Sequence, residues 1–177
     1  MIEVRGLKKT FDGFAALNDA TLSVPTGAVY GLVGPNGAGK STIIRHLTGI
    51  FRQDSGTVDA PIGRHPADRK KMAVNPQNGK RAVTHYRVLQ RFQGYTYIEC
   101  VLETGRTHQI RVHMASIGHP LLGDEVYSNR KSPFKLQGQT LHAKTLGFIH
   151  PTTGEYLEID APLPEYFEHL LAVLTQK

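Results

Sequence analysis

Apolar and polar positions alternate with a strand's period along several stretches, and recur at helical spacing along three others. Ile2 to Val4 and Thr21 to Val24 read as short strands on either side of an Asp12-Gly13 turn, and VYGLV (29–33) reads as a third strand after Pro25-Thr26-Gly27. AVTHYRVLQRF (82–92) and YTYIECVLE (95–103) alternate cleanly and meet near Gln93-Gly94, which predicts a hairpin. TLHAKTLGFI (140–149) and EYLEID (155–160) predict another pair around Pro151 to Gly154. Helices are expected after Gly39, over 108–117, and from Pro164 onward as an amphipathic terminal helix. For the middle helix, Thr107 is the expected N-cap and Gly118 the C-terminal cap. Ile110, Met114 and Ile117 would face the core, with His108, Arg111 and Ala115 on another face. Residues 63–71 and 128–138, rich in charge, Gly and Pro, read as loops, and no internal repeat is visible.

Composition narrows the picture modestly. A chain of 177 residues suits one domain or two small ones, and 40% apolar residues are ordinary for a globular protein. No apolar run approaches the roughly 18 residues of a membrane helix, and MIEVRGLKKTF lacks the apolar core of a secretion signal, so a cytoplasmic location is expected. The single cysteine, Cys100, falls on the strand face of Ile98 and Leu102, which predicts a buried, unreactive thiol and no disulfide within the chain.

Charge changes the picture more. The net charge is +6, and residues 57–120 carry ten Lys/Arg against four acids, while the flanking segments nearly balance. A local basic surface of this kind can track a phosphate backbone. His108, His113 and His119 cluster in sequence, but a spacing of five is poor for one helical face, so no metal site is expected there.

Two motifs carry more specific chemistry. GPNGAGKST (34–42), between an expected strand and an expected helix, has the spacing of a phosphate-binding P-loop. Gly34, Asn36, Gly37 and Gly39 let successive N–H groups turn inward, Lys40 reaches terminal phosphates, and Ser41 and Thr42 open the helix, with Ser41 placed to hold magnesium. Together with GLKKTFDGFAAL and LTGIFRQDSGTV, this segment resembles the start of an ABC-type ATP-binding domain. The resemblance implies ATP with Mg²⁺ as ligand and Phe11 as the aromatic that stacks on adenine. It stops near Val58: no LSGGQ-like signature, acidic strand or switch histidine follows, and the closest acidic run, Pro120 to Glu125, is broken by proline and glycine. ATP hydrolysis is therefore not expected. Gln77 lies at a distance from Lys40 that suits a Q-loop.

From Thr57 the sequence changes character. TVDAPIGRHPADRKKMAV, AVTHYRV, ETGRTHQIRVHMASIGHPLLGDEVY and LHAKTLGFIHPTTGEYLEIDAPL resemble, in order and spacing, RNA pseudouridine synthases of the ribosomal large-subunit type, over about 120 residues. The resemblance implies RNA, ribosomal RNA in particular, as partner and uridine-to-pseudouridine isomerisation without a cofactor. It makes Tyr86 the active-site tyrosine and Arg111 the arginine that faces the catalytic aspartate. Arg64, His65, Arg69, Lys70, Lys71, Arg106 and His108 become the expected RNA contacts. The aspartate itself belongs to a His-Arg-Leu-Asp motif, and that motif occurs nowhere in the chain.

The expected fold is therefore α+β: a mixed, mainly antiparallel pseudouridine-synthase-like sheet with helices over 57–177, preceded by a partial P-loop α/β unit over 1–56. The leading functional expectation is a synthase-like, catalytically impaired RNA-binding protein. The alternatives are an ATP-binding fragment of an ABC transporter, or a non-functional fusion of two truncated genes. Without the aspartate, a buried Arg111 is expected to carry an uncompensated charge.

Overall fold

The computed structural model describes residues 2–11, 14–25, 31–47, 54–68 and 70–176. The expected turns at Asp12-Gly13 and Thr26-Gly27, the start of VYGLV, most of LTGIFRQ and Arg69 lie outside them. The described residues form two compact units, Met1–Arg91 with Thr96–His113, and Phe92–Tyr95 with Met114–Lys177.

The first unit is built on a five-stranded sheet of order β2-β1-β3-β6-β7, with every neighbouring pair antiparallel. β1 (Ile2–Phe11) and β2 (Phe14–Val24) make a long hairpin, well beyond the two short strands expected there. Its register shifts accompany left-handed backbone at Gly6 and Asp19. β3 (Ser55–Asp59) pairs along its whole length with β6 (Val83–Arg91), and β6 with β7 (Thr96–Leu102). The sheet thus runs across the expected boundary at Gly56. β1 and β3 share only the Lys8 to Ser55 pair, so the hairpin is joined to the remaining strands at one point.

One expectation in this unit fails. Gly31 to Val33 forms no strand, and Val33 is almost fully exposed. An apolar run reads as a strand, but a strand needs a partner edge, and no described strand pairs with these residues. The loop expected over 63–71 is found over 65–68 and 70–71, and it joins a short hairpin, β4 (Ile62–Arg64) with β5 (Met72–Val74).

α1 (Lys40–Leu47) follows the P-loop sequence, and α2 (Gln109–Ser116) follows β7. α2 starts differently from the expectation. Thr107 does not cap it; His108 adopts a left-handed φ of 56°, and the first helical bonds run from Gln109 N–H to the Arg106 carbonyl and from Val112 N–H to His108. Its end is as expected. Gly118 N–H donates to the Ala115 carbonyl and His119 N–H to that of Met114, the paired bonds of a Schellman cap, with Gly118 at φ 82°.

In the second unit β8 (Thr145–Ile149) and β9 (Tyr156–Asp160) form an isolated two-stranded sheet. α3 (Glu165–Thr175) starts after Pro164 and buries Phe167, Leu170 and Leu174 at helical spacing. Pro120 to Glu125 forms turns, with Asp124 buried and its Oδ1 accepting the N–H groups of Val126 and Tyr127. That carboxylate holds a turn closed, as Asp commonly does. No described helix is long and apolar enough to cross a membrane.

Candidate functional site

The start of α2 is locked to the sheet by one continuous set of hydrogen bonds. Gln109, 3% exposed, uses both ends of its amide. Its Nε2 donates to the Val83 carbonyl (2.9 Å) and to Thr84 Oγ1 (3.1 Å), while its Oε1 accepts from the Thr104 hydroxyl (2.8 Å) and the Arg106 N–H (2.9 Å). Thr104 Oγ1 in turn accepts the Val83 N–H. His113, fully enclosed, continues the chain: Nε2 lies 2.8 Å from the Ala60 carbonyl and Nδ1 2.9 Å from Thr84 Oγ1. A carbonyl only accepts, so Nε2 carries the proton and Nδ1 takes the Thr84 hydroxyl's. Burial pushes the imidazole's pKa down, offset in part by the Ala60 bond and the charge of Asp59.

This network corrects the expected core side of α2 in part: Met114 is buried as expected, Ile110 is half-buried, and Ile117 is not buried. Gln109, Val112 and His113 are buried as well. The helix is fixed by satisfied polar groups whose partners are distant in sequence, a feature that hydrophobic spacing alone does not reveal.

Tyr86 stands on the same sheet face. It pairs with Gly56 on one side and Cys100 on the other, and its hydroxyl lies 2.7 Å from where a Cβ on Gly56 would stand. Glycine at 56 therefore leaves space that the phenol fills. Burial raises the phenol's pKa, and the nearby Arg91 charge lowers it less, so Tyr86 keeps its proton at neutral pH. The Cys100 thiol is pushed up to about 11, first by burial and then by the Glu99 charge, in keeping with the expected unreactive thiol.

Asp54, the acid nearest before the junction, accepts hydrogen bonds from Lys9 Nζ at 2.6 Å and Arg91 Nη2 at 3.2 Å. Partial burial raises its pKa, but these two cations more than reverse that, and it ends below its ordinary value. Arg111 is half-buried on α2, not enclosed, and is not left without a partner.

The opposite face is exposed and self-paired. Thr57 Oγ1, His85 and Glu103 form a row at 2.8 and 2.7 Å, Arg81 reaches the other Glu103 oxygen at 2.8 Å, and Arg87 pairs with Glu99 across β6 and β7. His85, then Arg81, hold the Glu103 carboxyl below its usual range. Such exposed pairs add little stability. They do matter for the expected basic groove: Arg81, Arg87 and Arg91 are matched by acids, and the remaining Lys and Arg of residues 62–91 fall, in sequence, on or beside the β4–β5 hairpin.

That hairpin carries several expected RNA contacts. Residues 62–80 hold five Lys/Arg and one Asp. Arg64 and His65 line a groove of about 960 Å³, together with Val74 and the Asn75-Pro76-Gln77-Asn78 turn. Lys70 is exposed and Lys71 half-buried in the intervening loop. Gln77, set against a Q-loop role in the sequence, belongs to this groove. Elsewhere, Arg106 is exposed with Nε donating to the Arg81 carbonyl, and His108 is half-buried ahead of α2.

The P-loop residues surround a second, smaller cavity of about 210 Å³, lined by Asn36 to Thr42 and Ala16. Gly39, at φ 80°, has no room for a side chain, since a Cβ would lie 2.6 Å from the Ala16 carbonyl oxygen. Lys40 Nζ donates to the carbonyls of Gly34 and Pro35, both at 2.6 Å. Lys9 Nζ lies 5.3 Å from the Phe11 ring centroid, a cation–π contact.

Comparison with known proteins places this geometry. Residues 38–116, which contain β3 to β7 and α2, match the sequence profile of the RNA pseudouridylate synthase family. An uncharacterised RNA pseudouridine synthase of Bacillus subtilis, YlyB, is 56% identical over 132 residues, covering 75% of this chain and 42% of the relative. Over about three quarters of its length the chain is similar in sequence to RNA pseudouridine synthases. Ribosomal large subunit pseudouridine synthase D of Haemophilus ducreyi is 50% identical over 139 residues, covering 72% of this chain and 42% of the relative. The chain thus spans about two fifths of the length of these curated pseudouridine synthases. Among solved structures, human RNA pseudouridylate synthase domain containing 4 is similar with a TM-score of 0.51 at 31% identity, over 69% of this chain and 57% of that one. The fold is accordingly pseudouridine-synthase-like, an antiparallel sheet with helices.

Proposed function

We propose that this chain binds RNA, with ribosomal RNA as the substrate class, on a pseudouridine-synthase scaffold that is impaired in turnover. The observation that carries this reading is the position of Tyr86: half-buried, protonated, and seated over Gly56 on the sheet face to which α2 is locked. Uridine isomerisation requires the base to leave the stack, a flat group beside it, and a carboxylate near the sugar. Tyr86 supplies a ring face and a hydroxyl, and Arg111 sits on the helix that the Gln109 and His113 bonds hold in place. The carboxylate is the part this reading leaves unassigned. The His-Arg-Leu-Asp motif is absent from the 177 residues, and Asp54 is already bound to Lys9 and Arg91. The binding half of this reading is tested by titrating RNA at several salt concentrations. Replacing Arg69, Lys70 and Lys71 with Ala should weaken binding and flatten its salt dependence. No RNA binding at low salt would remove the reading.

A second reading concerns residues 1–56, which we propose derive from an ABC-type ATP-binding domain joined to the synthase sequence near residue 57. Support comes from the cavity around α1's start and the Gly39 backbone that only glycine fits. Phosphates of ATP would sit on the loop N–H groups, with Ser41 toward Mg²⁺ and Lys40 released from the Gly34 and Pro35 carbonyls. Protection from proteolysis by ATP with Mg²⁺, lost in Lys40→Ala, would support it, and equal cleavage with and without ATP would not.

A further inference from the structure

We propose that the groove on the β4–β5 hairpin takes one unpaired nucleotide of the bound RNA and reads its base edge. This rests on the RNA-binding reading above. The groove has two kinds of lining. Val74, Pro66 and Pro76 give it an apolar floor on which a base can lie flat, while Arg64, His65, Gln77 and Asn78 supply its polar groups.

The polar groups are fixed by the turns that hold them. His65 Nδ1 accepts the N–H groups of Ala67 (3.2 Å) and Asp68 (3.0 Å), so it carries no proton, and Nε2–H is the ring's donor. Asn75 is used up internally. Its Oδ1 accepts from Gln77 N–H (3.2 Å) and Asn78 N–H (3.0 Å), and its Nδ2 donates to the Arg64 carbonyl (3.4 Å). The turn has no slack: a Cβ on Gly79 would lie 2.3 Å from the Asn75 carbonyl oxygen. It therefore presents Gln77 and Asn78, both exposed, from a rigid backbone.

An amide side chain both donates and accepts, which is what a base edge needs, whereas Arg64 and the His65 donor suit a phosphate. Positive charge on the same hairpin favours a polyanion over an apolar peptide. An apolar floor favours a single strand, because a base inside a duplex is already stacked and cannot lie on Val74.

Fluorescence anisotropy with the whole chain tests this, using a labelled single-stranded oligoribonucleotide and the same sequence in a duplex. The native chain should prefer the single strand. Gln77→Ala/Asn78→Ala should weaken single-strand binding roughly tenfold, about the size of one lost base-edge contact, with the salt slope and far-UV circular dichroism unchanged. Gln77→Glu alone, which keeps the side chain's shape and adds a negative charge, should weaken it too. Native-like single-strand affinity in these variants, or equal native affinity for single strand and duplex, overturns the nucleotide subsite and leaves RNA binding standing. Absence of RNA binding by the native chain overturns both.

Discussion

Gly56 and Tyr86 face each other across β3 and β6 so closely that the phenol occupies the place of a side chain at 56. Gly56→Ala should therefore push the ring aside. Overpacking of this kind costs about 1–3 kcal/mol. The expected outcome is a lower urea midpoint with an altered near-UV tyrosine signal. An unchanged spectrum and midpoint would mean the ring is not held there.

His113 makes stability depend on pH. Its folded pKa lies below the unfolded value of about 6.5, so the unfolded chain binds the proton more readily. Its contribution is complete above that pH and is lost as pH falls toward the folded value. Urea midpoints at pH 8 and pH 5.5 should differ more for the native chain than for His113→Gln, whose amide can donate to Ala60 and accept from Thr84 without titrating. His113→Leu should cost about 1–3 kcal/mol for each polar partner left unsatisfied.

The thiol of Cys100, pushed up to about 11 and half-buried, should react slowly with iodoacetamide in the native protein at pH 7.5 and rapidly in urea. Equal rates would show that the Tyr86 face of β7 is open to solvent.

Local signals in the sequence agree with the structure where the structure is local. The β6–β7 hairpin, the Gly118 cap and the start of α3 after Pro164 depend on neighbours a few residues away. Met114 lies in the core as its spacing predicts, but the rest of the buried face of α2 is not legible from apolar spacing, because Gln109 and His113 are buried by partners on β6 and at Ala60, 26 and 53 residues distant. VYGLV has an apolar strand pattern, yet pattern does not provide a neighbouring edge for Gly31 to Val33. The basic surface was legible as composition. Its distribution was not, because Arg87 meets Glu99 and Arg81 meets Glu103 only once the strand register is known. Tyr86 could be picked out by resemblance, while its seat over Gly56 required the β3–β6 pairing.

Under the proposed function, a synthase-like scaffold holds RNA without the carboxylate for isomerisation. Tritium release from ribosomal RNA labelled at uridine C5 tests it most directly, with the full chain in excess over RNA that anisotropy shows to be bound. The expected result is no release above the protein-free control. Clear release, abolished by Tyr86→Phe or by Asp54→Asn, would contradict it by showing that the chain assembles a working site without the His-Arg-Leu-Asp motif.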